Sequence, residues 1–178
     1  MSEYSDVGAK DLVPGTLRGY RAWTVNGRSG GLRSVTMAYT WRLGRSPATC
    51  FHHTSQVVVI GPEDEVTVWG SHSAPAVRCS CGYYATYNLD DLYVYRAWAR
   101  NIGDSVIGTV KAHGSVILGT IGFRAQYMEI EALVDSSPLV AERAAAYGVP
   151  TVPSFEALVS QYPPSNVDEL IGAPRANV

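Results

Sequence analysis

The sequence predicts a mainly β domain of the α+β class. The expected form is a small partly open barrel or sandwich with a zinc-stapled loop pair and a short helical C-terminal tail. Three observations predict it. Between residues 16 and 134, short apolar runs with strand alternation are separated by Gly, Pro and Asn, the pattern of strands and turns. Three cysteines and nearby histidines fall in loops, where metal ligands are usually spaced. Beyond residue 135 the signals change to helix caps and helix stops. The chain therefore divides into a flexible arm (1–15), a zinc-stapled β-rich domain (16–134) and a helical tail (135–178).

Taken in order, the arm ends at Pro14-Gly15, a turn signal. Leu17 to Val25 reads as a strand containing Tyr20 and Trp23, followed by an Asn26-Gly27 turn. Leu32 to Trp41 reads as a second strand, because Val35, Met37 and Tyr39 alternate with smaller or polar neighbours. Gln56 to Ile60 is a β-branched apolar run closed by Gly61-Pro62, and Glu65 to Trp69 is a further short strand. Asn88 is placed to cap a helix from Leu89 to Arg100, with Asp90 and Asp91 in its first turn and Arg96 and Arg100 near its end. Val106–Ala112 and Val116–Ile121 read as paired strands turning near His113-Gly114. Phe123 to Leu133 continues as a strand in which neither alternating face is cleanly apolar. Such a strand is expected to leave the sheet or change faces midway. In the tail, Ser137-Pro138 starts a helix that runs to Tyr147 and stops at Gly148, and Ser154 caps a second, Phe155 to Gln161. A last turn is expected around Val167–Ile171, with a frayed end after it.

The 178 residues suit one domain with a core of its own. Hydrophobic residues at 46% and charged residues at 17% exclude bulk disorder. So low a charge content suggests that some apolar surface is committed to a partner. The net charge of −2 gives no global positive field for nucleic acid. No apolar run approaches the ~20 residues that span a bilayer, and Met1–Lys10 has no signal-peptide core. A cytoplasmic protein without membrane association is expected.

The cysteines are Cys50, Cys79 and Cys81. An odd number without a secretory signal argues against a disulfide framework. On extended backbone, Cys79 and Cys81 point the same way, and Gly82 permits a sharp turn after them. Three thiolates lack one ligand for a closed tetrahedral zinc site, and a histidine is the natural fourth. His72 sits on the loop that leads into the C-x-C pair. His52 and His53, next to Cys50, are its rivals. The favoured set is Cys50, His72, Cys79 and Cys81 around a structural Zn2+. The competing readings are three buried reduced thiols, or a disulfide between Cys50 and one of the pair.

At Ala48-Thr49-Cys50, His72-Ser73-Ala74-Pro75, Cys79-Ser80-Cys81-Gly82-Tyr83-Tyr84-Ala85 and Gly122-Phe123-Arg124-Ala125 the chain resembles a group of uncharacterised small proteins of actinobacteria and their phages. The resemblance covers roughly residues 16 to 134, with a further match at Gly108-Thr109-Val110 and Gly114. It implies that His72 accompanies the cysteines and that the chain is phage- or prophage-encoded, acting in a host cytoplasm. It brings no activity.

A metal with four protein ligands has no open position and cannot activate water. The zinc-deaminase motif needs H-x-E and P-C-x-x-C, whereas His72 is followed by Ser73-Ala74 and the cysteines are spaced C-x-C. No phosphate loop or dinucleotide fingerprint occurs. The reading is a non-enzymatic interaction protein, with no catalytic residue assigned and a host or phage protein as partner. A nucleic-acid-binding module is the alternative, and a zinc-dependent enzyme the third. Trp41, Arg42, Arg45, Tyr87, Tyr95 and Trp98 are the candidate binding surface. The apolar tail is expected to dock on its own domain or on a second copy, as a homo-oligomer.

Overall fold

The structure, a computed structural model, describes residues 6–10, 17–25, 31–35, 40–41, 47–50, 72–77, 79–92 and 104–167, with backbone alone for 6–10 and 104. Seven strands are described. They are β1 (Asp6–Lys10), β2 (Leu17–Val25), β3 (Leu32–Ser34), β4 (Tyr83–Thr86), β5 (Asp104–Gly119), β6 (Gly122–Val134) and β7 (Thr151–Val152). Two helices follow β6, α1 (Pro138–Tyr147) and α2 (Phe155–Gln161). All pairings are antiparallel except β6 with β7.

β5 is the spine of the sheet. One of its edges takes β2, from Leu17↔Ala112 to Val25↔Asp104, and then β1, at Val116 to Gly119. Its other edge takes β6. β4 pairs with the start of β6, and its Thr86 also meets Tyr20 of β2. β2, β5, β6 and β4 therefore form a partial ring, closed by that single pair, as the expected partly open barrel requires. Glycines make the closure tight enough. A Cβ on Gly19 would stand 2.7 Å from both the Phe123 ring and the Thr86 carbonyl oxygen.

The long β5 replaces the expected hairpin between Val106–Ala112 and Val116–Ile121. Gly114, at φ 78°, adds a bulge between His113 and Val116 rather than reversing the chain. The reversal comes at residues 120 and 121 instead, where Leu118 faces Phe123. A second bulge lies opposite the Thr109–Val110 step and inserts Glu131 into β6. The two irregularities explain the ambiguous faces of that strand. The core residues Phe123 and Ala125 are followed by Met128 and Ile130, then by Leu133, so the inward parity changes twice.

The expected single strand from Leu32 to Trp41 is also corrected. Arg33 bridges Thr40 in the antiparallel sense, and the Trp41 N–H donates to the Leu32 carbonyl at 2.8 Å, so the chain doubles back within it. Asn88 caps as expected, its Oδ1 accepting from Asp91 N at 3.0 Å, and a 3-10 turn follows over Asp90–Leu92. The rest of that expected helix, the strands at 56–60 and 65–69, the turn at 26–27, the turn at 14–15 and the chain end all lie outside the described residues.

The core has two apolar layers. Trp23, Val106, Val110, Phe123 and Leu133 centre one, and Tyr20, Ile107, Val134 and Leu158 centre the other. The helical segment docks on its own chain across both. Ser137 caps α1 and Gly148, at φ 67°, ends it, while Val140 and Ala144 enter the first layer. Ser154 caps α2, whose Leu158 enters the second. Further on, Ser165 brackets Arg18. Its Oγ accepts from the Arg18 N–H at 2.8 Å, and its own N–H donates to the Arg18 carbonyl at 3.1 Å. No helix among the described residues is long and apolar enough to cross a membrane.

The inserted Glu131 gathers two cations. Arg18 Nε and Lys111 Nζ lie 2.6 and 2.8 Å from its carboxylate oxygens. Burial opposes its ionisation, but the Arg18 and Lys111 hydrogen bonds outweigh that and hold its pKa below the ordinary glutamate range. A depressed folded pKa contributes stability above the unfolded value and loses it as pH falls through the folded one. Stability measured by urea unfolding is expected to decline below about pH 4.3, and Glu131→Gln to flatten that decline. A variant with an unchanged acid profile would remove the role assigned to Glu131. Gly19→Ala is expected to cost about 1–3 kcal/mol through its clash with Phe123 and Thr86, and a wild-type midpoint would show that the closure has slack.

Candidate metal centre

The four ligands expected from the sequence come together. One donor atom from each of Cys50, His72, Cys79 and Cys81 lies within 4.8 Å of all the others. Three segments deliver them. The Cys50 segment is tied to β6 by an Ala48 N–H to Gln126 carbonyl bond of 2.7 Å and a Pro47↔Tyr127 bridge. Residues 72–77 bring His72, and Cys79 N donates to the Ala76 carbonyl at 3.0 Å, turning the chain into the C-x-C pair. Gly82 then swings it into β4 at φ 121°, a conformation L side chains rarely adopt. A Cβ there would also press on Pro75 and Arg124 at 3.1 and 3.2 Å.

The separations suit coordination. Cys50 Sγ and Cys79 Sγ are 3.6 Å apart, and His72 Nε2 and Cys81 Sγ are 3.2 Å apart. Around an ion of zinc's size, tetrahedral geometry puts two sulfurs about 3.8 Å apart and a sulfur and a nitrogen about 3.5 Å apart. A disulfide needs about 2.0 Å, so that alternative does not describe these thiols, and all three cysteines are free. Among the described residues, His72 completes the set. His52 and His53 lie outside them.

Electrostatics show why sulfurs so placed call for a cation. Burial pushes the Cys81 thiol up to about 12, and the adjoining Cys79 and Cys50 sulfurs push in the same direction. Burial also opposes ionisation of Cys79. There the Cys81 backbone N–H, the two neighbouring thiols and the Arg124 charge outweigh it and hold the pKa below the ordinary thiol range. The protein alone thus favours one thiolate and resists the next. A divalent ion removes the conflict, because it binds the deprotonated sulfurs directly. The residues can hold a soft or borderline metal ion between two buried cysteines, Cys50 and Cys81 at 8% and 6% exposed, and the half-buried His72 and Cys79.

One positioning side chain lay hidden in the sequence. Arg124, 3% exposed, directs its guanidinium at the carbonyls of Ala76, Cys79 and Cys81. The sequence held it as an arginine between the apolar Phe123 and Ala125 of a strand, within the Gly122-Phe123-Arg124-Ala125 element, and gave it no role. Of the candidate binding surface, Trp41 and Tyr87 are core residues, 6% and 7% exposed. Trp41 packs edge-on against Trp23 at 5.4 Å and against Tyr83 at 5.0 Å, and Tyr87 against Phe123 at 5.9 Å. They offer little area to a partner. Arg42, Arg45, Tyr95 and Trp98 lie outside the described residues. Comparison of the chain with protein-family models, curated proteins and solved structures gives no match.

His72→Ala is expected to weaken metal binding by about 100-fold, since one of four bonds is lost and water must replace it. His52→Ala and His53→Ala are expected to bind as the parent does. Competition against a chromophoric chelator decides this, and the reverse ranking would reassign the fourth ligand.

Proposed function

We propose that the centre holds one structural Zn2+ and that the protein is a non-enzymatic binding protein acting through a protein partner. The observation that carries this reading is the set of four mutually adjacent protein donors. Three sulfurs and an imidazole nitrogen form the Cys3His class of structural zinc sites, and four such bonds leave no position for a substrate or an activated water. The ion then has mechanical work. It joins the Cys50 segment, the His72 loop and the C-x-C pair, which hydrogen bonds from Ala48 and Arg124 also tie to β6. The braced loop presents Val77, 53% exposed, between His72 and Cys79. An apolar side chain held out on a rigid loop suits protein contact better than catalysis. The buried Arg124 guanidinium is directed at the loop's carbonyls rather than at a surface where nucleic acid could bind. The Cys/His pattern shared with small actinobacterial and phage proteins supports a host or phage protein as the partner.

Elemental analysis of purified protein is expected to give one zinc per chain, and Cys79→Ser to lose it. Loss of several kcal/mol of zinc-linked stability would lower Tm by about 10 °C or more for a chain of this size. Replacing zinc by Co2+ is expected to give a tetrahedral thiolate spectrum that added azide leaves unchanged. A spectrum that shifts with azide would reveal an open coordination position and overturn the closed, structural reading. Folded protein that takes up no metal would overturn the zinc assignment.

A further inference from the structure

Arg124 belongs to a strand distant in sequence, yet its guanidinium hydrogen-bonds the metal loop. One guanidinium nitrogen, Nη1, faces the carbonyls of Ala76 at 3.4 Å, Cys81 at 3.0 Å and Cys79. These carbonyls flank the turn that presents the two sulfurs of the C-x-C pair. The Arg124 Cβ lies against the space that Gly82 leaves open, and its guanidinium stands 5.9 Å from the Tyr84 ring. Tyr84 in turn donates from its hydroxyl to the Ser80 carbonyl, between the two cysteines. The pair Tyr84↔Arg124 is a register pair of β4 and β6. One cross-strand contact therefore grips the backbone of the loop at Ala76, Cys79, Ser80 and Cys81.

Charge makes the same assignment. A zinc ion bound by three thiolates and a neutral imidazole carries one net negative charge. Burying such a complex is costly unless a positive group stands near it. Guanidinium is suited to this, because it stays protonated and presents several donors in a fixed plane. Resting on the zinc reading of the site, we propose that Arg124 is the positioning residue of the metal centre. Its guanidinium fixes the loop carbonyls so that Cys79 and Cys81 face the ion, and its charge offsets that of the zinc–thiolate complex. The role accounts for the Gly122-Phe123-Arg124-Ala125 element. Gly122 admits the backbone of Ala85, Phe123 and Ala125 fill the core, and Arg124 turns to the metal loop.

The test compares zinc affinity in wild type, Arg124→Met and Arg124→Lys by chelator competition, with the stability of each metal-free form measured alongside. Arg124→Met is expected to bind zinc about 10–100-fold more weakly. Arg124→Lys is expected to fall between, since it keeps the charge but loses the planar fork. A purely structural arginine would destabilise metal-free and zinc-loaded protein equally and leave the affinity unchanged, and that result overturns the proposal. Should Arg124→Met fail to fold, wild type still decides through the 15N side-chain resonances of Arg124. They are expected to be protected from exchange with zinc bound and to broaden when a chelator removes it. Resonances indifferent to zinc overturn the proposal. Wild type that binds no zinc overturns the metal reading itself, before any variant is compared.

Discussion

Buried sulfur drives the organisation of one end of this molecule. Cys50, Cys79 and Cys81 are brought within reach of each other and of His72, with Cys50 and Cys81 buried and Cys79 half-buried, where thiolates repel. Burial and neighbouring sulfur raise Cys81 far above an ordinary thiol, so the arrangement is poorly suited to a chain left to itself. A divalent ion converts that liability into four strong bonds. Among the described residues, the apolar neighbours of Cys50 and Cys81 are Ala48, Ala74, Ala76 and Cys79. Alanines bury little surface, so a metal ion bound to these four residues would add order that those contacts supply weakly.

Both β4 and β6 hold the metal loop to the ring of strands. Gly82 feeds straight into β4, and Arg124 returns from β6 to grip the loop. β4 is only four residues long, and it is also the strand through which the ring closes, by Tyr20↔Thr86. Short strands at a closing seam are weak on their own account. Whatever fixes Cys79 and Cys81 therefore also fixes the entry to β4, and whatever loosens β4 loosens two metal ligands. Coupling of this kind is reciprocal by thermodynamic necessity.

Much of this was open to inspection in the sequence, because local chemistry wrote it. Leu17–Val25 forms the strand read from its sequence. Ser137, Gly148 and Ser154 cap because side-chain oxygens and a left-handed glycine act over three or four residues. The C-x-C-Gly motif placed two sulfurs on one side for the same local reason. What failed depended on long-range pairing. Gly114 carries the same conformational signal in a turn and in a bulge, and only the register against β6 selects the bulge. Leu32 to Trp41 alternates like one strand, yet the Arg33↔Thr40 bridge folds it back. Trp41 and Tyr87 looked like anchors for a partner because composition cannot tell an aromatic at an interface from one beneath a sheet. Arg124 was the hardest to see, since its partners are backbone carbonyls some forty residues away, which carry no sequence signature.

The division of labour between metal and core follows from these facts. Trp23, Phe123, Leu133 and Leu158 are wholly buried and belong to elements that pair or pack without any metal ligand. The sheet centred on β5 and the docked helices thus have their own source of stability, and the metal end has another. A metal ion held there would order the Cys50, His72 and C-x-C segments and β4, while β2, β5 and the far half of β6 owe their order to apolar burial. A metal that braces one edge of an otherwise self-sufficient sheet serves the surface at that edge. That surface includes the exposed Val77.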